Sequence, residues 1–77
     1  MQKFENIEIN PKVLGGKPVF KNTRIPIALI LHMIRDGVSF DQIIQEYPRL
    51  SVENIKSAID YAVYMVNNPE DEIVMLN

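Results

Sequence analysis

Cysteine and tryptophan are absent from this sequence of 77 residues, and histidine occurs once, at His32. The absence of cysteine excludes disulfides and thiolate metal sites, and a single histidine excludes a metal site built from several. No serine or cysteine triad is plausible around His32, which lies in an apolar helical segment, and no pair of carboxylates suggests acid–base catalysis. We therefore expect a protein that is not an enzyme, with no catalytic residues, no metal and no cofactor.

Long apolar runs are missing as well. The longest, residues 25–34, is interrupted by Pro26 and His32, and it is far shorter than the roughly 20 residues that a membrane-spanning helix needs. The first residues also lack the apolar core of a signal peptide. We expect a protein of the cytoplasm that does not associate with membranes.

The small size of the chain sets a limit on its stability. A domain of this length buries only about 60% of its unfolded surface, so its folded state is marginally stable without help. Because disulfides and metals are excluded, association with another chain is the remaining aid. We expect a single domain over residues 1–77 that forms a homodimer or binds a different partner.

Charge is divided unequally along the chain, although the net charge is only −2. Residues 1–35 carry six basic and two acidic side chains, whereas residues 36–77 carry two basic and eight acidic ones. The division indicates two different surfaces, one basic and one acidic, although chance in a short chain is an alternative.

The N-terminal part, residues 1–25, has the pattern of a short β arm. Apolar and polar side chains alternate over residues 4–10, which predicts a strand that ends at Asn10-Pro11. After a glycine-rich loop, Val19-Phe20 and Arg24-Ile25 flank Lys21-Asn22-Thr23, which predicts a tight hairpin. Pro18 and Pro26 cannot donate to a sheet, so any sheet here has edge character.

Three helices are predicted over residues 26–68. Pro26 suits the first turn of the first helix, and Gly37 suits the position just past its end. Ser39 and Ser51 are candidate N-caps of the second and third helices, and Gln42 completes a capping box in the second. Spacing predicts that the buried face of the third helix consists of Val52, Ile55, Ile59, Ala62, Val63 and Val66.

Only Pro48-Arg49-Leu50 separate the second helix from the third. Two helices joined so tightly must cross steeply, with Leu50 filling the corner, which is the helix-turn-helix geometry. The predicted fold is therefore mainly α: a three-helix, helix-turn-helix-like unit of the winged or homeodomain type, with a short N-terminal β arm or hairpin. Such corners also occur as plain scaffolding, so the corner alone does not indicate DNA binding.

Two sets of residues are candidates for DNA contact. The first set, on the arm, is Lys17, Lys21 and Arg24; basic arms beside a helix-turn-helix reach the phosphate backbone or the minor groove, although three ordinary surface cations are the alternative. The second set, early in the third helix, is Asn54, Lys56 and Ser57. Asparagine and lysine can contact base edges, but Glu53 and Asp60 would repel phosphates, so a solvated helix face is an equal alternative.

The C-terminal tail, residues 69–77, is an acidic spacer followed by four apolar residues. The candidate partner-binding residues are Tyr64, Ile73, Val74, Met75 and Leu76. An apolar run at an open end needs a cover, and it could add a strand to a partner's sheet. The alternative is that the tail folds back onto its own chain or onto a second copy.

Four segments together resemble the DUF433 family, a domain family of unknown function. They are Gly-Gly-Lys-Pro-Val-Phe-Lys-Asn-Thr-Arg-Ile-Pro at residues 15–26, Asp-Gly at 36–37, Tyr-Pro-Arg-Leu-Ser-Val-Glu-Asn-Ile at 47–55 and Ala-Ile-Asp-Tyr-Ala at 58–62. One departure is Asn22, where the family often has glycine. A turn position with positive φ would explain both residues, because asparagine tolerates it next best.

The resemblance implies a small prokaryotic protein with a helix-turn-helix-like fold. Many members resemble the antitoxin halves of toxin–antitoxin pairs, often beside a nuclease-like toxin with a PIN-type fold. The charge division is compatible with this, since a basic part could contact operator DNA while an acidic part covers a basic nuclease site. The first hypothesis is thus an antitoxin-like regulator that binds a toxin and possibly operator DNA; the second is a non-catalytic interaction or scaffold module without nucleic-acid binding.

Overall fold

The computed structural model describes residues 4–69, which fold as three helices with a short antiparallel hairpin at their N-terminal side. The elements are β1 (Ile7–Glu8), a 3₁₀ turn (Leu14–Gly16), β2 (Val19–Phe20), α1 (Ile27–Arg35), α2 (Phe40–Glu46) and α3 (Val52–Asn67). The mainly α fold with an N-terminal hairpin is confirmed. Among these residues, no helix is long and apolar enough to cross a membrane.

β2 is the centre of the small β structure. On one side it pairs antiparallel with β1, with Val19 opposite Glu8. On its other side Val19 forms a bridge to Pro26, so the chain makes a second, tighter hairpin around residues 21–24. This is the hairpin that the sequence predicts at Lys21.

β1 is two residues long and therefore shorter than the strand predicted over residues 4–10. The Ile7 N–H turns back to the carbonyl of Phe4 at 3.3 Å, which ends the ladder on that side. After β1 the chain turns again, and the Val13 N–H donates to the carbonyl of Asn10 at 2.8 Å. The N–H groups of Ile7 and Val13 bond within these local turns, so they are not available to extend the sheet.

α1 has well-defined ends. Pro26 is its N-cap, with an extended φ of −67° and ψ of 141°, one residue before the first-turn position predicted for it. At the C-terminal end Gly37 has a φ of 85°. The Gly37 N–H donates to the Ile34 carbonyl and the Val38 N–H to the Met33 carbonyl, each at 3.0 Å. These two bonds form a Schellman motif and confirm Gly37 as the residue just past the helix end.

Serine caps begin both of the other helices. In α2 the Ser39 hydroxyl accepts the Gln42 N–H at 3.1 Å, and the Gln42 side chain accepts the Ser39 N–H at 3.3 Å. In α3 the Ser51 hydroxyl accepts the Asn54 N–H at 3.2 Å, and Asn54 Oδ1 accepts the Ser51 N–H at 2.8 Å. A serine cap of this kind contributes about 1 kcal/mol to stability.

The corner between α2 and α3 is sharp, and Leu50 fills it. Leu50 is 3% exposed, and its N–H donates to the Tyr47 carbonyl at 2.9 Å. The buried core that it joins consists of Phe20, Ile27, Ile30, Ile43, Leu50, Ile55 and Ala58. Burial of a leucine side chain contributes roughly 1.5–3 kcal/mol, so the corner is held by packing as well as by its caps.

The buried face of α3 differs from the predicted one. Ile55 and Ala58 are buried, whereas Val63 is 54% and Val66 is 80% exposed, and Val52 is exposed as well. Ile55 is buried and Ile59 packs against the core, as predicted. The prediction was wrong for the three valines, of which Val52 and Val66 lie in the first and last turns of α3.

Candidate functional site

The tight hairpin after β2 presents an exposed basic turn. Lys21 and Arg24 are exposed on either side of Asn22 and Thr23. Asn22 has a φ of 64°, which agrees with the interpretation of this position as one where glycine or asparagine is needed. Thr23 stabilises the turn because its hydroxyl donates to the Phe20 carbonyl at 2.7 Å and accepts the N–H of residue 25 at 3.0 Å.

Arg49 joins this turn to the α2–α3 corner. Its Nη2 donates to the Asn22 carbonyl at 2.9 Å, across 27 residues of sequence. The bond places the basic turn directly beside Leu50 and the beginning of α3. Sequence reasoning missed Arg49 as a site residue. The available signal was that Arg49 is the one basic residue in the linker between the second and third helices.

A cleft of about 360 Å³ lies where the turn and the corner meet. It is lined by Glu8, Val13, Asn22, Thr23, Arg24 and Arg49. Two arginines and one glutamate thus line the same open cleft. Within residues 4–69 the only ion pair is Arg35–Asp36, so neither arginine of the cleft is neutralised by Glu8.

We name the exposed cations Lys21, Arg24 and Arg49 the turn edge. Lys17, the third cation predicted on the arm, is not part of it. Lys17 is exposed at the end of the 3₁₀ turn, at the opposite end of β2 from Lys21. Of the three arm cations, only Arg24 lines the cleft itself. The structure therefore brings two of the three predicted arm cations together and adds Arg49 to them.

The predicted α3 residues have different surroundings. Asn54 is half-buried, and its Oδ1 is occupied by the capping box of Ser51. Ser57 is half-buried too, and its hydroxyl accepts a hydrogen bond from Asn6 Nδ2 at 2.9 Å, which ties the arm to α3. Lys56 alone of the three is exposed, and it shares the solvent side of α3 with two acidic residues.

The family model described as a protein of unknown function (DUF433) matches residues 7–62 of the chain. The chain belongs to the DUF433 family. The match includes the basic turn, Arg49 and the whole α2–α3 corner, so the elements that form the cleft all lie within the family's domain.

Two relatives of this DUF433 chain carry the comparison further. It is 33% identical over 58 residues to uncharacterized protein y4eO of Sinorhizobium fredii, an alignment that covers 75% of this chain and 26% of that protein. The DUF433 chain thus spans about a quarter of the length of that relative. It also resembles the crystal structure of a DUF433 member from Anabaena variabilis, with a TM-score of 0.70 and 29% identity, over 94% of this chain and 69% of the other.

The N-terminal segment of the DUF433 chain covers the side of α3 that includes Tyr64. Phe4 packs edge-to-face against Tyr61 at 5.4 Å and against Tyr64 at 5.5 Å between ring centroids. Tyr64, predicted to meet a partner, is therefore half-buried in an aromatic cluster of its own chain. The other predicted partner-binding residues, Ile73, Val74, Met75 and Leu76, lie outside the described residues.

His32 is exposed on α1. Among residues 4–69 there is no group of three or more histidine, aspartate or glutamate side chains placed to hold a metal ion. The chemistry that the site offers is therefore that of a cationic surface with one carboxylate, built from a turn, a corner and the end of β1.

Proposed function

We propose that this DUF433 chain is an antitoxin-like regulator of a toxin–antitoxin pair, which binds DNA through the turn edge and a toxin through its C-terminal part. The observation that carries the DNA half is the hydrogen bond from Arg49 to the Asn22 carbonyl. That bond fixes the basic turn against the helix-turn-helix corner, so phosphate-binding cations stand beside the start of α3, where a helix-turn-helix meets its groove.

The turn edge has the side-chain types that phosphate binding requires. Lys21, Arg24 and Arg49 are exposed, and arginine can bind phosphate oxygens with two parallel N–H donors. Release of counterions from DNA makes such contacts the main source of affinity. Glu53 and Asp60 on the solvent side of α3 oppose phosphate binding there, so the proposal assigns phosphate contact to the turn and not to the helix.

In this proposal, contact between α3 and the base edges has a smaller role than contact between the turn edge and the phosphates. Asn54 and Ser57 already bond within the chain, and Lys56 is the exposed member of the predicted set. We expect affinity that depends on the backbone of DNA more than on its sequence. Sequence preference would then come from Lys56 and from a second copy of the chain, which positions a second corner.

Binding of DNA is tested by fluorescence anisotropy with a short mixed-sequence duplex at a series of salt concentrations. Each phosphate contact contributes about 0.9 to the slope of log affinity against log salt. We expect Lys21→Ala with Arg24→Ala to reduce the slope by about two. The matched control, Lys12→Ala with Arg35→Ala, removes the same charge elsewhere and should retain most of the slope. Equal slopes for the two double variants would contradict the assignment to the turn edge.

The toxin half of the proposal rests on the family resemblance and on charge. Residues 36–77 have an excess of six acidic side chains, which suits a basic partner such as a nuclease of the PIN type. The test is co-expression with the product of the neighbouring gene, followed by purification through a tag on one protein. Truncation after Pro69 should abolish co-purification while circular dichroism stays helical. Undiminished co-purification of the truncated chain would remove the tail from the interface.

A non-catalytic interaction module is the second candidate, and the exposed valines of α3 favour it. Val63 and Val66 are 54% and 80% exposed, and they present an apolar strip on α3. A module that only binds other proteins would use this strip and would show no change in anisotropy with DNA at micromolar protein. Substitution of Val63 and Val66 by serine would then abolish partner binding, whereas the turn-edge variants would bind normally.

A further inference from the structure

The cleft at the turn edge has the composition of a site for one phosphoryl group. Arg24 makes no hydrogen bond or ion pair with any residue of the 4–69 region, and Arg49 uses one Nη2 for the Asn22 carbonyl. Both arginines line the same open cleft of about 360 Å³. Two forked cations that share a small opening match the several oxygens of a phosphoryl group better than a single carboxylate.

The backbone of the turn adds to this. Asn22 adopts a φ of 64°, and its side chain has no hydrogen-bond partner among the described residues. Thr23 donates its N–H to the Phe20 carbonyl at 3.0 Å, which closes the turn. The turn is thus rigid, and it holds an uncommitted amide side chain next to Arg24. A preformed wall of this kind lowers the entropy that a ligand loses on binding.

Glu8 determines which anion suits the cleft. It lies on β1, is half-buried and lines the opening together with the two arginines. Two guanidinium charges and one carboxylate leave a single positive charge, which the single negative charge of a phosphodiester neutralises. A cleft without Glu8 would favour anions of higher charge.

We propose that Arg24 and Arg49 bind one phosphodiester group in this cleft and that Glu8 limits its net charge to that of a diester. The inference rests on the proposed function, since it names the DNA contact of the turn edge as a single phosphate gripped by two arginines. Arg49 then has two roles, because it holds the turn to the corner and also binds the ligand. A phosphoryl group presented by DNA and one free in solution share this chemistry, and the experiment separates them.

The first measurement uses the substitution Glu8→Gln, which is isosteric and is expected to tighten binding. Removal of the one acidic group of the cleft should raise the affinity for a short DNA duplex about fivefold at low salt. The matched control is Glu5→Gln, which removes an exposed carboxylate from the same arm, outside the cleft. Equal affinities of the Glu8 and Glu5 variants would overturn the proposal.

The second measurement separates the guanidinium fork from its charge. Arg49→Lys keeps the positive charge but loses the paired N–H donors of the guanidinium group. It should weaken DNA binding about tenfold, close to the effect of Arg49→Ala. Thermal unfolding of both variants reports the structural part, namely the lost bond to the Asn22 carbonyl. If Arg49→Lys binds DNA with wild-type affinity, Arg49 contributes only its positive charge, and the proposed bidentate contact with phosphate is contradicted.

The third measurement is a titration with inorganic phosphate followed by NMR of the full chain. We expect shifts confined to the amides of Asn22, Thr23 and Arg24 and to the Arg49 side chain, and larger in Glu8→Gln. Chemical-shift changes of equal size at Lys12 and Lys56 would contradict the assignment of phosphate binding to the cleft. If inorganic phosphate changes the chemical shifts of the cleft residues but DNA does not bind, the phosphate site in the cleft is supported and the proposal of DNA binding fails. If DNA affinity depends on Lys21 but inorganic phosphate does not change the chemical shifts of the cleft residues, the proposal of DNA binding is supported and the phosphate site in the cleft is contradicted.

Discussion

The turn edge and the solvent side of α3 carry similar numbers of charges but arrange them in opposite ways. Lys21, Arg24 and Arg49 come from two elements distant in sequence and are drawn together by the bond to the Asn22 carbonyl. Lys56 instead shares one helix face with Glu53 and Asp60, all exposed. A helix-turn-helix fold therefore does not by itself make its third helix the main DNA-contacting element. For the DNA binding that we propose, the electrostatics favour contact through the turn that stands next to α3.

The largest effect is expected from Leu50→Ala, which removes the support of both surfaces. Leu50 is 3% exposed in the core at the corner, so the cavity should lower the free energy of unfolding by about 2–5 kcal/mol. Chemical denaturation with urea measures it. Val52→Ala, at an exposed neighbour, is the control and should change stability by less than about 0.5 kcal/mol. A small loss for Leu50→Ala would mean that the corner does not hold turn and helix together.

Asn22→Ala tests the turn edge alone. Alanine has no polar side chain to stabilise a backbone φ of 64°. We therefore expect a loss of about 1–2 kcal/mol of stability together with weaker DNA binding. Asn22→Gly accepts the same backbone conformation and should keep both properties close to wild type. If alanine is tolerated as well as glycine, the rigid turn is not what presents Lys21 and Arg24.

Ser57→Ala sharpens the comparison from the side of α3. It removes the acceptor of the Asn6 amide, and we expect a loss of about 0.5–1.5 kcal/mol in thermal or urea unfolding. DNA affinity should not change, because the Ser57 side of α3 faces the arm. A gain in DNA affinity would contradict this and would mean that the arm masks a DNA-reading side of the helix.

Lys56→Glu is expected to have the smallest effect. It reverses the one basic charge on the solvent side of α3, where two acidic residues already oppose phosphates, so DNA affinity should fall by less than about threefold. Lys21→Glu, at the turn edge, should reduce it far more. Comparable losses in anisotropy titrations would show that α3 and the turn contribute equally, which would end the distinction between the two surfaces.

Helix ends were predictable because they depend on neighbours in sequence. Gly37 and the serine caps at Ser39 and Ser51 lie where the sequence predicts, each with bonds to residues within five positions. The positive φ of Asn22 was predicted from the family resemblance, because glycine often stands at this position. Leu50 was also predicted as the plug of the corner, because a short linker leaves one apolar residue to fill it.

The buried face of α3 was predicted correctly at Ile55 and wrongly at its three valines, and Arg49 was missed. Apolar spacing weighs Val63 and Val66 above Ala58, yet it is Ala58 that is buried. Apolar spacing indicates the apolar side of a helix, but which positions on it are covered depends on the elements that pack against it. The clefts and clusters that depend on such packing were correspondingly hard to predict.

By itself, the sequence determined the number of helices in the described region, where each begins and ends, and the sharp α2–α3 corner, since capping and turn formation are local interactions. Tertiary structure alone decided which side of α3 is buried and which cations meet at the turn edge. The physical reason is that Arg49 and Asn22 are 27 residues apart, so a hydrogen bond between them depends on the packing of the turn against the corner and not on local sequence.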